Sequence, residues 1–332
     1  MTSALPFDDF RTLLAHLPPL DDGAAAQVRE SFARMDKPEH SLGRLEDIAA
    51  WLAASTGRKP QVLRPVVAIF AGNHGIARHG VSPRPVEATQ RLVELAAAGG
   101  AAVNQICIAH DLGLKVYDLA LHLPTADFTE EPALDERGCA ATMAFGMEAV
   151  AGGVDLLAIG DIGVGGSTAA AGIFAALYAG SGVDWVGAGP GADATMIARK
   201  ADVVDRALSL HRAHLRDPLE VLRRFGGREF AAIAGAILAA RMEKVAVVLD
   251  GFSALAAAAI LHRANPAALD HCLLSDMPAG PGHAKAIARL GLKPLLDLGL
   301  NHGEATGAAL GAGLVKTAAL VHSGMAAALP KG

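Results

Sequence analysis

The chain carries a lone carboxylate in a turn flanked by glycines. Glu304 lies in the segment Asn301-His-Gly-Glu-Ala-Thr-Gly307, directly before a helical stretch of small residues. A carboxylate that backbone geometry holds in such a turn can act as a general base. Glu304 is therefore the first candidate for a catalytic residue.

A second glycine-rich segment, Gly160-Asp-Ile-Gly-Val-Gly-Gly-Ser-Thr168, opens another helical stretch. Glycines at a helix start leave backbone N–H groups free to bind a phosphate. The segment lacks the Gly-Lys-Ser/Thr of a Walker A loop, and it does not have the pattern of a dinucleotide site. The residues predicted to contact the phosphate are three glycines, two hydroxyl residues and a lysine of the next helix: Gly163, Gly165, Gly166, Ser167, Thr168 and Lys200.

A base and a phosphate site together suggest chemistry on a phosphorylated sugar. The structural alternatives are two ordinary turns of an α/β protein and, for Lys200, a solvated helix lysine. Asp250 ends a buried apolar run, where a carboxylate is costly unless it binds something, so we expect it to contact ribose or substrate. His74 and His79 lie in turns, where they either belong to the site or form local hydrogen bonds.

Composition and charge disfavour several classes of function. The chain has 332 residues, of which 52% are hydrophobic, and its net charge of −5 argues against a nucleic-acid partner. Its 13 histidines form no HExxH pair, so we expect no metal site, and the lack of Gly-x-Ser-x-Gly disfavours a hydrolase. The three cysteines have no zinc spacing and fit a reduced, cytoplasmic protein. We expect neither a signal peptide nor a membrane-spanning segment.

Short apolar runs alternate with helical patterns, which predicts βαβ units and a mostly parallel sheet. Strands are predicted at 66–70, 114–119, 156–159, 245–249 and 271–274. Helices are predicted at about 41–56 with Ser41 as the cap, 87–98, 139–150, 168–178, 194–215, from 218, 229–242 and 306–322. Because ligands bind beyond the carboxyl ends of such strands, the glycine-rich turns should converge on one cleft.

The two ends of the chain have helical rather than strand patterns. Residues 1–60 are predicted to form helices with a break at Pro18-Pro19. The predicted organisation is an α/β fold with a Rossmann-like, mostly parallel sheet flanked by helices over about 61–305. A small helical domain would be formed by 1–60 together with about 306–332.

Several segments resemble the nicotinate-nucleotide–dimethylbenzimidazole phosphoribosyltransferase family, in order and over nearly the whole chain. The matching segments are Ser41-Leu-Gly-Arg-Leu-Glu46, Ala71-Gly-Asn-His-Gly75, Gly80-Val-Ser82, Ala198-Arg-Lys200, Asp217-Pro-Leu-Glu220, Val248-Leu-Asp-Gly-Phe252, Pro281-Gly-His283, Lys293-Pro-Leu-Leu296 and Gly303-Glu-Ala-Thr-Gly-Ala-Ala-Leu310. The resemblance implies transfer of phosphoribose from nicotinate mononucleotide to an aromatic base such as dimethylbenzimidazole. The products would be an α-ribazole phosphate, used in cobalamin nucleotide-loop assembly, and nicotinate.

The resemblance also implies roles for individual residues and a state of assembly. Glu304 corresponds to the general base that removes the azole proton, and Gly163–Thr168 with Lys200 corresponds to the phosphate site. The residues matched to ribose or nucleotide are Asp161, Gly189 and Asp250, and those matched to the aromatic base are Ser82 and His302. The family fold is a Rossmann-like sheet with a small helical domain, usually in a homodimer, and the reaction needs no cofactor.

Some turns differ from the pattern of that family. The family segment Glu-Met-Gly-Ile-Gly-Asn-Thr-Thr corresponds here to Asp161-Ile-Gly-Val-Gly-Gly-Ser-Thr168, and Asn301-His302 replaces an Arg-Leu pair. Four further positions lack the polar or charged side chain of the family: Ala188, Ala194, Pro278 and Gly280. An alternative interpretation is therefore a member that binds a nucleotide or an aromatic base as a regulator or partner subunit. The identity of the acceptor base, such as a benzimidazole, a purine or a phenol, stays open.

Overall fold

The structure is a computed structural model and describes residues 5–187, 189, 191–277 and 280–326. Its strands form one six-stranded sheet in the order β2-β1-β3-β4-β5-β6, and each neighbouring pair within these residues is parallel. The strands are β1 (Pro65–Ala71), β2 (Gly113–Asp118), β3 (Leu156–Ile162), β4 (Ala246–Leu249), β5 (Cys272–Asp276) and β6 (Pro294–Leu296).

Helices connect these strands and cover both faces of the sheet. The α-helices of the described residues are α1 (Asp8–Ala15), α2 (Asp22–Ala33), α3 (Arg44–Thr56), α4 (Glu87–Ala97), α5 (Ala102–His110), α6 (Glu136–Met147), α7 (Gly166–Tyr178), α8 (Gly182–Trp185), α9 (Ala194–His211), α10 (Pro218–Phe225), α11 (Arg228–Met242), α12 (Gly251–Ala264), α13 (Pro281–Leu290) and α14 (Thr306–Gly324). Short 3-10 helices lie at Gly75–His79, Glu148–Val150, Arg212–His214 and Pro266–Leu269.

The sheet separates two hydrophobic cores, because alternate side chains of a strand point to opposite faces. In β1, Val67 and Ile69 pack into one core, whereas Ala68 and Phe70 pack into the other. The first core also contains side chains of α2, α3, α5 and α14, and the second contains side chains of α1 and α6–α13. Burial on both faces explains why the central strands are nearly continuous apolar runs.

The helices from the two ends of the chain pack against the sheet. Helices α2, α3 and α14 share the first core with β1, β3 and β4. Helix α1 instead reaches the second core through Phe10 and Leu14. The apolar residues of these helices are therefore shared with the sheet, and the division into a small helical domain, 1–60 with about 306–332, stays a prediction.

The predicted α/β class with a mostly parallel sheet is confirmed, and each of the five predicted strands exists. The predicted cap at Ser41 is wrong: α3 begins at Arg44, and Gly43 precedes it with a left-handed φ of 52° that favours glycine. Strand β3 continues to Ile162, so Gly160 and Asp161 belong to the strand and not to the turn that follows it. The sequence analysis also missed β6 and the alanine-rich helix α12.

The apolar stretch Glu87–His110 has the length and composition of a membrane-spanning helix, with a mean hydropathy of 1.5. It consists of two helices, α4 and α5, joined at Gly99 and Gly100. Helices in the core of soluble proteins have the same composition, so this stretch is weak evidence for a membrane span.

Candidate active site

A cleft of about 300 Å³ lies at the carboxyl ends of β3, β4 and β5. These strands contribute Asp161, Asp250 and Asp276 at or just after their ends. Its described lining also includes residues of the loops and helix starts above the sheet: Ser82, Gly163, Ser167, Gly187, Gly189, Gly280, His302 and Glu304. The turns after β3 and β4 therefore meet in one cleft as predicted, whereas Ala71–Gly75 is not part of its lining.

Glu304 is held in the cleft by an unusual backbone. Gly303, Glu304 and Ala305 have left-handed φ values of 75°, 57° and 60°, and α14 begins at Thr306. A non-glycine residue in such a conformation costs about 1–3 kcal/mol, so surrounding contacts must maintain it. The Glu304 side chain is only 7% exposed, and its Oε2 lies 3.5 Å from Nε2 of His302. The candidate base therefore borders the cleft but is shielded from bulk water.

Two glycines allow this turn to lie against the sheet. A β-carbon on Gly160 of β3 would lie 2.5 Å from the amide nitrogen of Ala305, which is closer than real contacts. A β-carbon on Gly307 would lie 2.7 Å from Oδ1 of Asp250. Because Gly307 lacks one, its amide donates to Oδ2 of Asp250 at 2.9 Å, while Oδ1 accepts from Oγ of Ser275 at 3.1 Å. Asp250 thus lines the cleft and also fixes the first turn of α14.

The loop between β3 and α7 leads into a helix start that borders the cleft. Gly165 precedes α7 with a φ of 98°, and the Val164 amide donates to Oγ1 of Thr89 at 3.2 Å. Gly163 and Ser167 line the cleft, while Gly165 and Gly166 lie behind the lining. Thr168 is completely buried and is also outside the lining, so its hydroxyl is not accessible to a ligand in this conformation.

Lys200 lies next to this helix start and is only 4% exposed. Its Nζ donates to Oγ of Ser167 and to the carbonyl oxygen of Gly187, both at 3.4 Å, and within the described ranges it contacts no carboxylate. Burial lowers the pKa of this ammonium. A buried cation without a counter-charge favours an anionic ligand. The alternative that Lys200 is a solvated helix lysine is therefore wrong.

Acidic groups lie at and behind the end of β3. Burial, and then the charge of Glu229, raise the pKa of Asp161 to about 7. Glu229 and His74 form a completely buried pair behind the cleft, and His79 contacts Asp127 at 2.6 Å. Neither histidine lines the cleft. Both histidines instead contact carboxylates of the protein, which fits the interpretation that they form local hydrogen bonds.

Another part of the lining is aromatic, which the sequence analysis missed. Trp185, Phe252 and His283 border the cleft, and the rings of Phe252 and His283 are 5.6 Å apart. Burial lowers the pKa of His283 to about 4, so its ring is neutral at pH 7. The sequence did contain a signal for Phe252, because this residue directly follows Asp250-Gly251, a segment already predicted to contact the ligand.

The turns that differ from the family pattern lie partly in this lining. Gly280 borders the cleft, and Gly189 does so close to Lys200. Ala194 begins α9 and is exposed. The positions Ala188 and Pro278 lie outside the described residues.

A parallel sheet whose cleft combines a helix start, a buried lysine and a positioned carboxylate fits a transferase that acts on a phosphorylated substrate. The phosphoribosyltransferase family matches residues 17–329, and the chain belongs to this family. It is therefore an enzyme of the glycosyltransferase class.

Individual relatives agree with this assignment. The nicotinate-nucleotide–dimethylbenzimidazole phosphoribosyltransferase of Rhizobium etli (strain CFN 42) is 63% identical over 324 residues, which cover 98% of this chain and 96% of the relative. The protein of the same name from Rhizobium meliloti (strain 1021) is 62% identical with the same coverage. A crystal structure of the Thermus thermophilus protein of that name superposes with a TM-score of 0.82 at 36% identity, covering 93% of this chain and 97% of that one. The resemblance inferred from the sequence is confirmed.

Proposed function

We propose that this enzyme transfers the phosphoribosyl group of nicotinate mononucleotide to dimethylbenzimidazole, a step of cobalamin nucleotide-loop assembly. Relatives that share 62–63% of its sequence carry the name of that reaction. The structural observation that carries the proposal is Lys200, a buried ammonium that contacts two lining residues of the cleft containing Glu304. One cleft can thus serve both a phosphate and a base-catalysed attack.

The phosphate of the donor is proposed to bind at the start of α7. There the ammonium of Lys200 and the hydroxyl of Ser167 lie 3.4 Å apart, beside the first amides of the helix. Free N–H groups and the helix dipole favour an anion at this position. The phosphate would supply the negative charge that Lys200 lacks among its described neighbours. Of the other predicted phosphate residues, Gly163 would approach the ligand through its backbone.

The chemistry proposed for Glu304 is proton removal from the acceptor. A ring nitrogen of dimethylbenzimidazole attacks the anomeric carbon, and the bond from that carbon to the nicotinate nitrogen breaks. The electron pair of the broken bond leaves with nicotinate, whose ring nitrogen loses its positive charge. Glu304 accepts the proton of the acceptor N–H group, so the product α-ribazole phosphate is neutral in its base.

The ribose and the acceptor base are proposed to contact other parts of the lining. Asp161 and Gly189 border the cleft near the phosphate end, and Asp250, whose carboxylate also accepts from Ser275 and Gly307, borders the same cleft. Ser82 and His302 are the proposed contacts of the aromatic base, since both line the cleft and His302 adjoins Glu304. Aromatic side chains of the same cleft suit a flat ring.

A direct assay tests the proposed function. The protein is incubated with nicotinate mononucleotide and, in turn, dimethylbenzimidazole, adenine or phenol, and both free nicotinate and a new nucleotide are quantified. Transfer to dimethylbenzimidazole is the expected result. Saturable nucleotide binding without nicotinate release would instead support the regulator or partner-subunit alternative, which fits the named relatives less well. Transfer only to adenine or phenol would change the assigned acceptor.

The enzyme is also proposed to be a cytoplasmic homodimer. Helices α4 and α5 both pack beside the edge strand β2. Leu95 of α4 and Ile108 of α5 are exposed large apolar side chains, and exposed apolar residues of this kind commonly mark contacts with another chain when they form a patch. Light scattering should give twice the chain mass, and Ile108→Glu should lower it. The control Leu210→Glu, at an exposed position of α9, should not change the mass.

A further inference from the structure

The geometry points to Asp276 as a positioning residue for Glu304. Asp276 ends β5 and is 5% exposed. Its Oδ1 accepts a hydrogen bond from the amide of Leu298 and its Oδ2 accepts one from the amide of Leu300, both at 3.0 Å. These amides belong to the loop that leads from β6 to Glu304. One buried carboxylate therefore holds the approach to the candidate base at two points.

A matching contact holds the chain on the other side of Glu304. Asp250, after the neighbouring strand β4, accepts from the amide of Gly307 at 2.9 Å. The left-handed residues Gly303–Ala305 thus lie between two attachment points on adjacent strands. A strained backbone persists only where the surrounding structure over-determines it. The two carboxylates provide that constraint. Without Asp276, the loop before Glu304 would lose the two hydrogen bonds that attach it to the end of β5.

The chemistry of the contact predicts graded effects of substitution. An aspartate offers an acceptor oxygen to each amide, whereas asparagine offers one oxygen and an NH₂ group that cannot accept. Asp276→Asn should therefore keep one of the two hydrogen bonds, and Asp276→Ala should lose both. This role rests on the proposed function of Glu304, because Asp276 acts through that side chain and need not touch the substrates.

The test separates positioning from general stability. In Asp276→Ala we expect kcat to fall by about 10²-fold, the effect of misplacing a catalytic group by about 1 Å, and in Asp276→Asn by a smaller factor. The KM for nicotinate mononucleotide should stay within about twofold, since the proposed phosphate contacts lie at Ser167 and Lys200. Asp297→Asn, an exposed residue of the same loop, is the matched control and should behave as wild type.

A double-mutant cycle decides the mechanism, with rates measured in single turnover at excess enzyme. Adding Asp276→Ala to Glu304→Gln should cause no further loss if Asp276 acts only through Glu304. An equal loss in both backgrounds would overturn the proposal, as would a raised KM with an unchanged kcat. Should the alanine variant fail to fold, the asparagine variant carries the same test.

Hydrogen exchange keeps this inference separate from the proposed function. The amides of Leu298 and Leu300 should both exchange faster than in wild type in Asp276→Ala, and at least one of them should do so in Asp276→Asn, whether or not the enzyme transfers phosphoribose. If the wild type has no transferase activity, the proposed function fails while this contact is still measured. Unchanged exchange at both amides would show that Asp276 does not hold the loop.

Discussion

The two turns that meet in the cleft present their functional groups in different ways. At the start of α7, the proposed phosphate contacts are backbone groups and the hydroxyl of Ser167, which belong to one local strand-turn-helix segment. At Glu304, a single side chain is held by consecutive left-handed residues, which require Gly160 beneath them and Asp250 beside them. The proposed phosphate contacts within this segment are thus encoded locally, and only Lys200 reaches them from the more distant helix α9. The position of Glu304, in contrast, depends on distant strands.

The comparison predicts that the largest loss comes from Glu304 itself. Glu304→Gln should lower kcat by about two to four orders of magnitude, because the amide cannot accept the acceptor's proton. Binding of nicotinate mononucleotide, measured by calorimetry, should stay within about twofold, since the phosphate end is untouched. Near-normal turnover in this variant would remove Glu304 from the mechanism.

A substitution beneath the turn should act almost as strongly without changing any polar group. In Gly160→Ala the added β-carbon would lie 2.5 Å from the amide nitrogen of Ala305, so the turn must move. We expect kcat to fall by about 10²-fold and the free energy of unfolding to fall by about 1–3 kcal/mol. Steady-state kinetics and urea unfolding measure the two effects.

Gly324→Ala is the control for this substitution, because open space surrounds that glycine at the end of α14. The control should leave kcat unchanged. If Gly160→Ala retains wild-type kcat, then the turn tolerates displacement, and the position of Glu304 does not depend on its close contact with Gly160.

The phosphate region should respond in binding rather than in the chemical step. Lys200→Met removes the buried ammonium, and a hydrogen bond to a charged group is worth roughly 1.5–3 kcal/mol, or about 10- to 100-fold in Kd. Calorimetry should show this loss for nicotinate mononucleotide but not for dimethylbenzimidazole. Lys115→Met, on the exposed edge strand β2, provides a control of equal charge change. Equal weakening of both ligands would contradict a phosphate site at Lys200.

A further prediction concerns the pH dependence of stability rather than binding or turnover. Burial raises the pKa of Asp161 to about 7 from 3.8, so the folded state binds more protons than the unfolded state between these values. Asp161 therefore lowers the stability progressively as pH rises through this window, by at most about 1.4 kcal/mol per pH unit. In urea unfolding, the stability of Asp161→Asn relative to wild type should increase from pH 5 to 7 and then level off. Parallel curves would show that Asp161 stays ionised throughout.

Local patterns in the sequence were sufficient for the elements that depend on near neighbours. The β-branched run of β4 predicted a buried strand, and glycines before Ser167 predicted a helix start. Glu304 was recognisable because it is the one acid in its glycine-flanked turn. Pro218 marked the beginning of α10, where its fixed φ and missing N–H are tolerated.

Only the tertiary structure decided which of these residues share the cleft and what holds them. The sequence contains no local sign that Asp276 binds amides 22 and 24 positions away or that Gly160 must lack a β-carbon to admit Ala305. The burial of Thr168 could not be predicted either, because its exposure depends on packing against distant helices. Hydrogen bonds and close contacts between distant residues arise from the arrangement of strands in the sheet, so local periodicity and turn chemistry do not encode them.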